Sequence, residues 1–366
     1  MKRTFFFCAF FSLFFLQPHL AHAQTGDTAF RAEVIKILEE QTKTSTDGIQ
    51  YTQQHLQLRA LSSEAGVTIF SINNIQDFQT LNEPMYKVGD KVLVQKEVVG
   101  QNEPTYAIID FVRTPSLLWL TGIFLVCALI IGGRKGLRSL LVLALTFFII
   151  IVFTVPQIIA GKNPVIVSVL SSVVIMFLSI FGTEGWNSKS KTAFLSVLIS
   201  LFILTLLSSV FTAAAQLTGL WSEEVLFLTS SFGIAINTQG ILLAGMIIAT
   251  LGVLDDVIIN QVSLVHELYT ADKTLNNSML FRKAMNVGRD HINALINTLF
   301  LVYAGASLPL LLLFSTRVAP FTTFSSIVNN ELVAAEIVRT LVGSIVIIAS
   351  VPIATALTLW TVRKKQ

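Results

Sequence analysis

The sequence predicts a membrane α-helical protein, with about seven transmembrane helices preceded by a small exported β-barrel-like, OB-like domain. Three observations lead there. Of 366 residues, 53% are hydrophobic and 13% are charged, whereas about 25% are charged in ordinary soluble proteins. Beyond residue 114 the apolar residues gather into runs of membrane-crossing length. Before it, short stretches alternate polar and apolar residues. This composition excludes a disordered chain, a nucleic-acid-binding protein and an ordinary cytosolic enzyme. The formal net charge of +3 selects no partner.

Residues 1–23 read as a cleaved secretory signal. Lys2 and Arg3 precede the apolar run Phe5–Leu16, and Ala21-His22-Ala23 supplies the small residues a signal peptidase reads. The alternative is an uncleaved anchor, but the run is shorter than the ~20 residues needed to span. Cleavage leaves Cys127 as the one remaining cysteine, which permits no intrachain disulfide and no thiolate zinc site. No metal and no cofactor are expected.

Residues 24–113 read as the exported β domain. Ala32–Ile37, His55–Ala60, Val67–Ile72, Val88–Val94 and Tyr106–Ile109 have strand character, separated by Gly, Asn and Asp. His55 lies on the polar face of its strand, so a solvated histidine is expected rather than a ligand. The work of such a domain is binding, spacing or assembly, with a protein as its partner.

Residues 114–366 read as the polytopic domain. Hydropathy marks seven spans: Ser116–Ile131, Leu137–Val155, Pro164–Ile180, Thr192–Ala215, Gln239–Gln261, Asn293–Phe314 and Leu341–Thr361. With Gln24 outside, the inner loops carry Arg134, Lys135, Arg138, Lys189, Lys191, Lys273, Arg282, Lys283, Arg289 and the basic carboxyl end. The outer ends carry only Arg113, Lys162, Arg317 and Arg339. This distribution obeys the positive-inside rule, with the carboxyl terminus in the cytoplasm. Trp119, Trp221 and Trp360 fall near span ends, as interfacial anchors do. Glu336 and Arg339 read as a local surface pair.

Unusual chemistry gathers in the fifth and sixth spans. The apolar run Ile241–Leu254 is too short for a ~30 Å hydrocarbon core, so polar residues must enter it from one side. Gly240 and Gly252 are natural break points, and Val225–Ala235 reads as a possible half-helix or re-entrant piece. Continued forward, the helix sets Asp256, Asn260, Ser263 and Glu267 on one face, with Asp255, Gln261 and His266 beside them. In the sixth span Asp290, Asn293 and Asn297 share a face, flanked by Arg289 and His291. Both polar halves start at the inner side, so they are expected to face each other. Paired carboxylates there would bind a cation or carry a proton, with histidines as relays. The bland alternative places Asp255 and Asp256 among lipid headgroups, and leaves the asparagines as interhelical hydrogen-bond partners.

These residues also carry a resemblance. Gly252-Val253-Leu254-Asp255-Asp256-Val257, Val265-His266-Glu267-Leu268, Met285–Ile292, Asn297-Thr298-Leu299 and Ala304–Pro309 resemble the YibE/F-like family of bacterial multi-pass membrane proteins. So do Asp110–Arg113, Gly132–Leu137 and Val88–Val92. The resemblance implies the same architecture in a bacterial inner membrane. It implies no biochemical activity and no catalytic residues.

Three functions compete. A permease or ion-coupled transporter of a small solute or cation fits the intramembrane acids best. A non-catalytic scaffold or accessory subunit would use the exported domain to bind a partner. An intramembrane enzyme fits least: Gly252-Val253-Leu254-Asp255 stands where an aspartyl protease has Gly-x-Gly-Asp. His266-Glu267 lacks the second histidine of a zinc protease, and no nucleophile-elbow or phosphate-loop motif occurs. The chain is therefore not expected to be an enzyme. Its partners are the lipid bilayer, a small solute or cation, and a protein on the exported side; nucleic acid is excluded.

Overall fold

A computed structural model describes residues 28–44, 50–62, 67–74, 85–97, 104–220, 223–232, 237–319 and 321–364. The expected signal peptide and Trp221 lie outside the described residues. The chain divides into two compact units, Met1–Cys127 and Ala128–Gln366.

The first unit holds five antiparallel strands: β1 (Thr28–Thr44), β2 (Gln50–Ala60), β3 (Ile69–Asn74), β4 (Lys91–Glu97) and β5 (Thr105–Phe111), in the order β3-β2-β1-β4-β5. Each expected strand falls within or against one of these. The two-residue period puts Phe30, Ala32, Val34, Leu56, Leu58, Val92 and Val94 on one buried face. Register shifts after Val34 and after Ile37 mark irregularities in β1, and such irregularities bend a strand. The two edge strands draw together through aromatic contact. Phe70 of β3 and Tyr106 of β5 have ring centroids 4.6 Å apart, and Phe30 meets Phe70 edge-on at 5.6 Å. The result is an antiparallel half-barrel. Before β4, Gly89 takes φ +96° while Asp90 accepts a 2.7 Å bond from the Lys87 amide, which makes the turn read from Gly89-Asp90.

The helices are α1 (Thr114–Ile149), extended by a π turn (Ile150–Thr154) and α2 (Val155–Ile159), then α3 (Pro164–Glu184), α4 (Ser188–Ala214), α5 (Glu223–Phe232) and α6 (Thr238–Ala271). They continue with α7 (Asn277–Ala306), α8 (Leu308–Ser315), α9 (Phe324–Val328) and α10 (Glu331–Arg363). Among the described residues five segments are long and apolar enough to cross a membrane: Thr114–Ile159, Pro164–Glu184, Ser188–Ala214, Thr238–Ala271 and Glu331–Arg363. A sixth arises if α7 and α8, bent by 66°, count as one.

Seven spans were expected; the α7–α8 bend is one point of difference and Gly133 is the other. The first two expected spans run together as one helical segment whose backbone is non-helical at Gly133, φ 53° and ψ −133°. The chain turns sharply there. A Cβ on Gly136 would sit 2.3 Å from the Ala128 carbonyl oxygen, whereas an unbroken helix would hold the two residues about 12 Å apart along its axis.

Helix α6 departs from expectation in another way. It runs unbroken through Gly252, and Gly240 lies in its first turn, where the Asn237 side chain accepts from the Gly240 amide at 2.8 Å. Its 34 residues make it about 51 Å long. The helix therefore extends both ways from its apolar run, and neither glycine breaks it. The suggested piece Val225–Ala235 appears as the separate helix α5, and residues 233–236 lie outside the described residues. Helix α7 begins 16 residues before the expected sixth span, at Asn277.

The main core joins α3, α4, α6 and α10 through Ile180, Val197, Leu204, Ile247, Leu254 and Val346. Hydroxyls share it: Ser168, Ser172, Ser200 and Ser208 have buried Oγ atoms without a hydrogen-bond partner. Where α10 ends beside the start of α7, Arg363 donates from Nε to Asn277 Oδ1 at 2.9 Å and from Nη2 to the Leu275 carbonyl.

Candidate functional site

Helix α6 sends its two adjacent aspartates in different directions, because neighbours on a helix lie about 100° apart. Asp256 is exposed. Asp255 is half-buried against α3, where Ser179 Oγ donates to its Oδ2 at 2.5 Å. Its Oδ1 is fully buried and has no hydrogen-bond partner among the described residues. Ile259 and Ser263 follow Asp255 at four-residue steps and line a small cleft with Glu184, Lys189 and Ser190. That cleft holds about 10 Å³, close to the space one water needs. At its rim Lys189 Nζ and Glu267 Oε1 form an exposed ion pair at 3.0 Å.

Gln261 is buried between helices. It is 3% exposed, and its Nε2 donates to Thr355 Oγ1 of α10 at 2.8 Å and to the Ala284 carbonyl of α7 at 3.2 Å. It cross-links three helices, and both its bonds go to the protein itself. Beside it Gly288 allows close approach: a Cβ there would lie 2.7 Å from Val351 Cγ1 and 3.0 Å from Gln261 Oε1.

The two expected polar stripes do not meet. Helix α7 turns Leu280, Ala284, Gly288 and Ile292 inward, one residue every four. This ridge of small and aliphatic side chains packs on α6 and α10 through Val257, Ile347 and Val351. The same helical geometry puts Arg289, Asp290, Asn293 and Asn297 on the exposed side, with His291 half-buried. Among the described residues no hydrogen bond or ion pair joins Asp256 or Asn260 to Asp290, Asn293 or Asn297, and none joins Arg289 to Asp290. Asn260 is exposed and His266 half-buried on α6. The polar centre thus lies between α6 and α3, with Asp255 at its heart.

Sequence reasoning missed Ser179. Its signal was present in the third span, where Ser168, Ser172, Ser179 and Thr183 recur at steps of four, seven and four. That pattern puts hydroxyls on one face. Glu336 and Arg339 were read as a surface pair. Their 2.8 Å contact instead has side chains only 19% and 21% exposed.

A family model described as YibE/F-like protein matches residues 120–364. The chain belongs to the YibE/F-like family. The match covers all of α10 and includes Ser179, Asp255 and every residue that lines the small cleft. Searches of curated proteins and of solved structures returned no match. The YibE/F-like assignment therefore brings no reaction or ligand with it, and the geometry has to carry the functional reading.

Proposed function

We propose that this chain is a multi-pass protein of a bacterial inner membrane that acts as a permease or ion-coupled transporter of a small solute, with Asp255 as its working acid. The turn at Gly133 supports dividing the first apolar segment in two; with the bent α7–α8 pair this gives seven crossings. The strand order and the approach of β3 to β5 support an OB-like barrel on the exported side. The basic loops support a cytoplasmic carboxyl terminus. The chain is not an enzyme on this reading, and it uses no metal or organic cofactor.

One observation carries the transport reading: the Asp255 carboxylate has one oxygen shut inside the helix bundle with no donor. An acid in a membrane interior is costly and is kept there for ion or proton traffic. Ser179 satisfies the other oxygen only. A proton or a small cation arriving at Oδ1 cancels the buried charge. On this reading the approach is the cleft lined by Ile259 and Ser263, four and eight residues along α6 from Asp255.

Complementation of a deletion strain tests this. Asp255→Asn is expected to abolish complementation and Ser179→Ala to weaken it, while protein level and melting temperature stay near wild type. Full complementation by Asp255→Asn sinks the proposal. Topology is tested separately: in a Cys127→Ala background, a cysteine replacing Ser188 is expected to resist an impermeant thiol reagent in intact cells. The scaffold reading draws support from Leu38, Val88 and Ile109, exposed apolar residues of the sheet unit. It requires that deleting residues 24–113 destroy function while Asp255→Asn leaves it intact.

A further inference from the structure

A second polar centre lies where α7 breaks into α8 beside the first turns of α10. The 66° bend borders a two-lobed cleft. One lobe of about 600 Å³ is walled by Val302, Ala306, Leu313 and Leu332. The other, about 340 Å³, is walled by Phe300, Leu311, Phe314 and Ile337. Tyr303, Ser307, Leu310 and Glu336 line both lobes.

An ion pair sits in this apolar wall. Arg339 Nη1 donates to Glu336 Oε1 at 2.8 Å, which uses one of the five guanidinium N–H groups and one carboxylate oxygen. Arg339 Nε is buried without a partner. Glu336 Oε2 and Arg339 Nη2 make no hydrogen bond among the described residues. Half-buried charges with unspent hydrogen-bond capacity are costly. The unspent capacity is of both signs: donors on Arg339 and an acceptor on Glu336.

We propose that this cleft binds a zwitterionic lipid with a primary ammonium head. Its phosphate pairs with Arg339, its ammonium with Glu336 Oε2, and its acyl chains lie along the two lobes. Each alternative head satisfies less. A purely anionic head sets a like charge before Glu336, and a choline head has no N–H to donate. The depth agrees. Arg339 lies about 12 Å along a helix about 50 Å long, and centring that helix on a ~30 Å core leaves about 10 Å at each end among the headgroups. The proposal rests on the membrane-crossing reading and is independent of transport.

The test uses the full chain in nanodiscs of phosphatidylcholine doped equally with phosphatidylethanolamine and phosphatidylglycerol. Native mass spectrometry then reads the lipid retained. Phosphatidylethanolamine is expected to be held over the other two by about tenfold, the scale of one charge-assisted hydrogen bond. Arg339→Gln and Glu336→Gln are each expected to erase that preference. Ala306→Leu, which fills part of the larger lobe and leaves the ion pair intact, is expected to lower retention; it keeps the test decisive if a charge variant fails to fold. Equal retention of the three lipids, preference for phosphatidylglycerol, or undiminished retention in the variants overturns the proposal. Displacement by soluble phosphorylethanolamine overturns the lipid assignment in favour of a small zwitterion. Failure of the chain to enter nanodiscs at all overturns the membrane reading as well, by a separate route.

Discussion

Gly288 offers the sharpest test of how α7 is seated. A methyl group there would lie 2.7 Å from Val351 Cγ1 and 3.0 Å from Gln261 Oε1. Carbon atoms rest at about 3.5–4.0 Å, so nearly 1 Å of overlap must be relieved. Little can give way, since Val351 is 1% exposed and Gln261 is 3% exposed and bonded to two helices. Overpacking of this kind costs about 1–3 kcal/mol. Replacing a helical glycine by alanine returns about 1 kcal/mol. Gly288→Ala is therefore expected to lose about 0–2 kcal/mol net, centred near 1 kcal/mol, which shifts the folding equilibrium roughly fivefold. The control is Gly252→Ala in α6, where a Cβ meets nothing within 4 Å. Only the propensity gain applies there, so stability is expected to rise. Reversible unfolding by SDS in mixed micelles measures both. Val351→Ala in the Gly288→Ala background is expected to recover part of the loss, read as a coupling energy. A Gly288→Ala protein as stable as the Gly252→Ala protein would refute the inward ridge of α7, and with it the outward placement of Asp290 and Asn297.

Phe70→Ala removes the ring that links β3 to β5 and is expected to destabilise the sheet unit by about 2 kcal/mol, roughly half the cost at a fully buried phenylalanine; a denaturant titration followed by tyrosine fluorescence checks it. Asp110 ionises below the usual carboxylate range, because the Arg113 guanidinium and then the Phe111 amide bond to its carboxylate. That support is complete above the ordinary value and fades as pH falls through the lowered one. Arg113→Gln is therefore expected to move the acid loss of Phe111 amide protection to higher pH, measured by hydrogen exchange; an unmoved profile removes Arg113 as the cause. Glu267→Gln is expected to leave the melting temperature unchanged, because the Glu267 side chain is 73% exposed and exposed pairs contribute little.

Much of the half-barrel was legible in the sequence, because alternation with period two marks both a strand and its buried face. Val34, Leu56 and Val92 were readable in this way. The long excursions of β1 and β2 past the core, to Thr44 and Gln50, were not, since paired polar residues leave no alternation to read. In the helical unit the ends of α6 and α7 were hidden for a similar reason. Hydropathy sees apolar runs, and residues 277–292 carry Asn277, Arg282, Lys283, Asn286, Arg289 and Asp290 among their apolar side chains. Their core face is narrow, Leu280 to Ile292 at four-residue steps, and only a search for that stripe would have found it. The site was half readable. Asp255 and Asp256 stood out as acids in an oily segment, but which of them points inward depends on Ser179, 76 residues away. The expectation that two polar faces would meet failed because Gly288 and Ala284 let α7 approach on its small-residue side.

The length of α6 has a mechanical consequence. Of its roughly 51 Å, a 30 Å hydrocarbon layer crossed at a moderate tilt takes up about 32 Å, which leaves a post of several turns standing clear of the lipid. The early turns of α7 stand alongside it, and Arg363 ties the foot of that pair to the end of α10. Force applied to such a braced end would act on the same unbroken rod that carries Asp255, with no intervening hinge.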